Sequence, residues 1–136
     1  MYGTLDISTS GMIAQRTRLT AIAANIANKD ALFDANNSFS PYRERIVMMA
    51  PGDGKGGLGV HVSEIAMSNA EFNLKWDPGH PFAIKDGPKA GYLQTSNVDP
   101  IKQSVDLMEA TRAYEANIAA AEASKMMTTA ALRLLA

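Results

Sequence analysis

The chain has 136 residues, with 13 lysines and arginines against 14 aspartates and glutamates, for a formal net charge of −1. That length predicts one domain, and that balance leaves no electrostatic footprint for nucleic acid or an anionic membrane surface. Cysteine is absent and histidine occurs twice, at His61 and His80, which excludes disulfides, thiolate metal sites, cysteine nucleophiles and a histidine-rich metal centre. No run approaches the roughly 18 apolar residues that span a bilayer. The opening residues MYGTLDISTSGM lack the basic start and apolar stretch of a cleavable secretory signal.

Hydrophobic residues make up 46% of the chain, but 22 of them are alanines. Alanine favours helix and buries little area, so a helix-rich chain with a thin core is expected. All six prolines and eight of the ten glycines lie from Pro41 to Pro100. Glycine and proline interrupt helices and mark loops. The chain therefore divides into a helix, an irregular or β-rich middle, and a second helix.

The first helix is expected from about Thr4 to Asn28. Leu5, Met12, Leu19 and Ile26 recur every seven residues, with Ser8, Gln15 and Ile22 three places after the first three. This is a heptad seam with small or polar residues at two of these three second positions. In the middle, Tyr42–Met49, Val60–Ile65 and Glu71–Trp76 read as strands. The third alternates, with Phe72, Leu74 and Trp76 on one face. Pro51–Gly59 reads as a flexible hairpin loop and Asp77–Pro81 as a tight turn.

The last helix is expected to begin at Asp99-Pro100, where aspartate caps free amides and proline suits the first helical position. It runs to about Leu135. Leu107, Tyr114, Ala121, Thr128 and Leu135 form one seven-residue stripe, with Ile118 and Leu132 beside it; Ile101, Val105, Met108, Ala119 and Met126 form a second. Lys102–Asp106, Glu109–Arg112 and Glu122–Lys125 have the spacing of neighbours on one helix face. Pairing with the first helix hides one stripe. The other must meet further chains, or the helix is incompletely formed in the free monomer.

The spacings that spell chemistry lack their contexts. Gly52-Asp-Gly54-Lys-Gly56-Gly57 matches G-x-G-x-x-G, but the pattern after it is a strand, whereas a phosphate loop opens a helix. His80 with Asp77 lacks a nucleophile or second ligand set and reads as a turn histidine; His61 reads as a solvent-facing strand residue. Asn36-Asn-Ser38 spells a glycosylation acceptor without a signal peptide. Glu109, Glu115 and Glu122 form no i, i+4 carboxylate pair. No catalytic residue, metal or cofactor is expected. Asn25, Asn28 and Asn117 are poor helix-interior residues, and beside an apolar seam asparagine sets register. Arg18, Arg112 and Glu115 have the chemistry for charge-assisted bonds between chains.

Two terminal segments carry a resemblance. Ser10-Gly-Met-Ile-Ala-Gln15, Arg18-Leu19 and Ala24-Asn-Ile-Ala-Asn28 are similar to the amino-terminal signature of flagellar axial proteins, the rod, hook and hook-associated components. Ser96-Asn-Val-Asp99 and Met108-Glu-Ala-Thr-Arg-Ala-Tyr-Glu-Ala-Asn117 resemble their carboxy-terminal signature. Pro41-Tyr-Arg-Glu-Arg45, Gly59-Val-His-Val62 and Trp76-Asp-Pro-Gly-His-Pro81 resemble the proximal-rod branch in particular. Gln103-Ser104 stands where members commonly carry Glu-Met.

The resemblance implies a non-enzymatic rod subunit, mainly α with a small β module. Residues 1–30 and 96–136 would form long helices packed as a coiled-coil-like bundle, with 31–95 as a β-rich middle domain. It also implies export by the flagellar type III apparatus without a cleaved signal and assembly in the periplasm into a hollow, torque-transmitting tube. The implied partners are other rod proteins, copies of this chain, a rod-base adaptor and the export-gate side of the basal body. The expected interface comprises Met12, Gln15, Arg18, Leu19, Ile22, Asn25, Ile26 and Asn28 on the first helix. On the last it comprises Val105, Met108, Arg112, Tyr114, Glu115, Asn117 and Ile118. A different axial rod subunit, a secreted coiled-coil scaffold, and a small enzyme or nucleotide binder are the competing readings.

Overall fold

A computed structural model describes residues 2–54 and 56–135. It contains helix α1 (Tyr2–Ala27), strands β1 (Arg45–Pro51), β2 (Val60–Met67), β3 (Asn73–Trp76) and β4 (Tyr92–Thr95), and helix α2 (Pro100–Leu135). Two long terminal helices thus flank a small β module, as expected.

The start of α2 follows from its cap. Asp99 Oδ1 accepts hydrogen bonds from the amides of Ile101 (2.9 Å) and Lys102 (3.4 Å), and Pro100 occupies the first helical position, where no amide is required. Where α1 ends, the Asn28 side chain donates to the Ala24 carbonyl at 2.8 Å. Asn28 is thus exposed and occupied at a helix terminus.

The expected three strands are four, in two separate antiparallel pairs. β1 pairs with β2, with an irregularity between Met48 and Met49; β3 pairs with β4. The Pro51–Gly59 loop closes the first hairpin through a Gly52 amide to Gly59 carbonyl bond of 2.8 Å and a Gly57 amide to Asp53 bond of 2.7 Å. Gly52, Gly54, Gly56 and Gly59 all have positive φ, which side chains disfavour. A strand follows the loop, so no helix terminus is there to receive a phosphate. β4 has four residues, too few for alternation to announce it. Its partner strand begins at Asn73, and Phe72 instead lies under the Arg43 guanidinium, 4.3 Å from the ring centre.

α1 and α2 run antiparallel. Gly11 meets Asn117, Arg18 meets Asp106 and Glu109, and Asn25 meets Gln103. Gly11, Arg18 and Asn25 are seven residues apart, as are Gln103, Ala110 and Asn117 on α2, so each set falls on one helix face. Small and polar side chains line this contact, and Ala110 is completely buried. The apolar stripe through Leu107 and Leu135 only borders this contact: Tyr114 is half-buried beside Thr9 and Met12 of α1, while Leu107 and Leu135 are exposed. The reason is steric. Helices approach closely where side chains are small, and a Cβ on Gly11 would stand 2.8 Å from Asn117 Nδ2.

Among the described residues, the buried hydrophobics are Ala14, Ala21, Ile22, Leu93, Val98 and Ala110. Half are alanines, so the core is thin. The β1–β2 hairpin lies along α1, from Asn25, which binds Arg45, to Ser10, whose hydroxyl accepts from the Val60 amide at 3.1 Å. Continuing the helix register sets the start of α1 opposite about residue 126 of α2. The last turns of α2, about 13 Å of helix, extend beyond it, and Leu132, Leu134 and Leu135 there are exposed.

Gly11→Val is expected to lower stability by about 1–3 kcal/mol, since a branched side chain forces the helices apart. Thermal unfolding checks this; an unchanged midpoint contradicts the close approach.

Candidate functional site

The α1–α2 contact, the start of β1 and the segment before α2 meet at one buried polar cluster. Asn25 is 1% exposed and Gln103 2% exposed. Asn25 Nδ2 donates to the Arg45 carbonyl (2.9 Å) and to Gln103 Oε1 (3.0 Å). Its Oδ1 accepts from the Arg45 amide (2.9 Å) and the Tyr42 hydroxyl (3.1 Å). A carboxamide has two donors and two acceptor lone pairs, so Asn25 is fully satisfied. Its two bonds to Arg45 take the place of a neighbouring strand and cap the open edge of β1 where it begins.

The cluster continues outward. Gln103 Nε2 donates to Glu44 Oε1 at 2.7 Å, and Lys102 Nζ reaches the same oxygen at 3.2 Å. The Glu44 backbone amide donates to Asn97 Oδ1 at 2.8 Å, and Asn97 Nδ2 donates to the Ala70 carbonyl at 3.2 Å. Asn73 Nδ2 donates to the Ser96 carbonyl at 2.8 Å. One network therefore ties both helices to both hairpins. Each bond contributes about 1 kcal/mol net, but a buried group left unpaired costs about 1–3 kcal/mol.

The charged residues pair across elements rather than along α2. Arg18 bridges Asp106 and Glu109, each at 3.4 Å, and Lys102 bridges Glu44. Lys102 and Asp106, spaced for each other, thus each find a partner outside the helix.

The residues expected at the interface fall into three groups. Ile22 and Asn25 are buried within the chain. Met12, Gln15, Arg18, Leu19, Ile26, Tyr114 and Asn117 are half-buried along the helix pair. Met12 and Tyr114 share a shallow cleft with Thr9, Ile13 and Arg16. Asn28, Val105, Met108, Arg112, Glu115 and Ile118 are exposed. Val105, Met108, Glu109 and Arg112 line a depression on the outer side of α2, and Ile101 beside them is 78% exposed. Gln15 Oε1 is buried without a hydrogen-bond partner among the described residues.

The histidines hold loops. His80 Nδ1 accepts from the Phe82 amide at 3.2 Å within its turn. His61 does not simply face solvent. It is half-buried, with Nδ1 2.8 Å from the Gly52 carbonyl across the hairpin loop. Among the described residues no group of three or more histidines and acids is placed to hold a metal, and no helix is long and apolar enough to cross a membrane.

Tyr42, Glu44, Asn97 and Gln103 complete the cluster but were not among the expected site residues. Tyr42 and Glu44 stand in a charged stretch that reads as solvated. The available signal was Asn97 and Asp99 together just before a helix start, since both side chains can bind backbone amides.

Comparison with known proteins bears on what this framework is for. Residues 5–30, within α1 and the turn after it, match the family model described as flagella basal body rod protein. Residues 89–134, across β4 and α2, match the model described as flagellar basal body rod FlgEFG protein C-terminal. The flagellar basal-body rod protein FlgC of Bacillus subtilis is 36% identical, with 98% of this chain and 97% of that protein covered. The chain belongs to the FlgC family of flagellar basal-body rod proteins. FlgC of Borreliella burgdorferi is 33% identical over 99% of this chain and 97% of its own. FlgC of Salmonella typhimurium is 35% identical over 95% and 93%. The family is one of structural rod components rather than enzymes, and the expected role as a rod subunit stands with it. The first matched segment contains Asn25 and the second contains Asn97 and Gln103.

Asn25→Leu is expected to destabilise the chain by about 3 kcal/mol, because it strands the Arg45 backbone, Tyr42 and Gln103 at once. Combined with Gln103→Leu, the losses should fall short of additive by about 1 kcal/mol or more. Urea unfolding of the two single variants and the double variant measures this; full additivity contradicts a shared cluster.

Proposed function

We propose that the chain polymerises with other rod proteins and with copies of itself through the outer faces of α1 and α2, as part of a hollow rod that transmits motor torque. The observation that carries this reading is the line Ile101, Val105 and Met108, exposed on a helix whose opposite face is already occupied by α1. An apolar line of this kind is stable in water only at a cost, and it marks an interaction surface. Its geometry suits coiled-coil-like packing against helices of neighbouring subunits.

Residues 1–30 and 96–136 would then form the inner part of the rod wall, with 31–95 outside. Contacts repeated head to tail with a screw rotation extend into a tube instead of closing a ring. Met12, Leu19, Ile26, Val105, Met108, Tyr114 and Ile118 would supply apolar contact. Arg18, Arg112, Glu115, Asn28 and Asn117 would supply polar contact at its edges. A donor from a neighbouring subunit would satisfy Gln15 Oε1. Ile22 and Asn25 contribute from within, by fixing how the two helices present these faces. The rod-base adaptor and export-gate components are the further neighbours of this reading. Its location is the periplasmic part of the basal body, reached by flagellar type III export.

Met108→Asp is expected to leave the unfolding midpoint within about 0.5 kcal/mol of the parent, since the position is exposed in the free chain, and to abolish rods. Leu19→Asp should also abolish rods. Both are checked by complementing a strain that lacks this chain and by imaging its basal bodies. Normal motility with Met108→Asp would overturn the assigned outer face.

A further inference from the structure

Among the described residues, Met48, Met67, Met108, Met126 and Met127 are exposed and Met12 and Met49 half-buried. Met108, Met126 and Met127 on α2 are 55%, 67% and 66% exposed, while the buried apolar set holds no methionine among the described residues. Met108 and Met126 are eighteen residues apart, which is a whole number of helical turns (about five), so they share one line along α2 with Ile101 and Val105. Met126 also lines a depression with Glu122, Lys125, Thr129, Ala130, Arg133 and Leu134. A thioether is flexible and polarisable, which suits a surface that must fit partners of differing shape. It is also the side chain that peroxides oxidise most readily in a chain without cysteine.

We infer that Met108 and Met126, flanked by Met127, form an oxidant-sensitive modification site that gates the assembly face of α2. The inference rests on that face being the one that docks. The reaction needs a peroxide such as hydrogen peroxide. A sulfur lone pair attacks one peroxide oxygen to form an S–O bond, the O–O bond breaks, and the departing hydroxide takes the proton of the oxygen now on sulfur and leaves as water. The thioether is oxidised by two electrons to a sulfoxide and the peroxide is reduced. The product keeps its length but carries a polar S=O group, which must be desolvated when the face is covered. The free chain is the vulnerable form, because assembly covers the same sulfurs. The sulfoxide is reducible by methionine sulfoxide reductases, so the block is reversible.

The purified full chain would be treated with hydrogen peroxide, its sulfoxides mapped by mass spectrometry, and its incorporation into rods measured with basal-body components from a strain lacking the chain. Oxidation is expected at Met108, Met126 and Met127 ahead of half-buried Met12 and Met49. Incorporation should fall about tenfold, as an unpartnered polar group in a buried contact implies, and reductase treatment should restore it. A Met108→Leu, Met126→Leu, Met127→Leu variant, whatever its untreated level of incorporation, should keep that level after peroxide treatment. Replacing the exposed hairpin residues Met48 and Met67 by leucine should give no protection. The site is overturned if the oxidised chain, with sulfoxides confirmed on α2 and unchanged helical circular dichroism, incorporates at the parent level. It is equally overturned if the hairpin variant alone confers resistance. Failure of the docking face itself is distinguished by Met108→Asp, which would then incorporate without any oxidant.

Discussion

The carboxamide of Asn25 has all of its donor and acceptor positions used, by Tyr42, by Arg45 at the start of β1 and by Gln103 of α2. Without it, α1, α2 and the start of β1 would lose the buried group that joins all three. Hydrophobic burial alone is too small to fix their mutual arrangement. The buried apolar set is six side chains among the described residues, three of them alanines, and alanine removes little area from water. Polar groups buried with every bond made are directional in a way that apolar contact is not, and a half-satisfied network would be worse than none. The chain therefore relies on a satisfied polar cluster to define its shape.

The same constraint accounts for what lies outside. Close approach of α1 and α2 requires small residues at their contact, as at Gly11 and Ala110, so the larger apolar side chains of α2 fall on its other faces. Ile101, Val105 and Met108 face away from α1, and Leu132, Leu134 and Leu135 lie beyond its reach. A tightly paired helix with a bulky outer face is suited to packing on both sides. A rod that carries torque needs many such contacts, each sharing a part of the load.

Much of this was legible in residues. Asp99-Pro100 announced the start of α2 because capping is local chemistry, and the glycines from Gly52 to Gly59 announced a hairpin because positive φ is nearly theirs alone. Asn25 stood out as a poor helix former beside an apolar seam. What could not be read is non-local. Four residues of β4 carry no periodicity, and its pairing with β3 depends on a long intervening segment. Leucine and methionine at sevens identify an apolar face but not which partner covers it; the face against α1 turned out to be the one with glycine, alanine and amides. Glu44 and Tyr42 sit among charges that look solvated until Gln103 is brought to them from the far end of the chain. The residues expected at the interface were read from seam spacing and polarity, which are properties of one chain; Ile22 and Asn25 among them are buried within it, and what the others meet belongs to the assembly.

The central claim is that the apolar line left open on α2 is covered by other subunits in the rod. A density map of a basal body containing this chain, at a resolution that shows side chains, tests it most directly. The account predicts helices of neighbouring subunits packed against Ile101, Val105 and Met108, with the Asn25–Gln103 contact intact inside each copy. A rod in which that line faces water, or in which α1 and α2 have separated at Asn25, would contradict it.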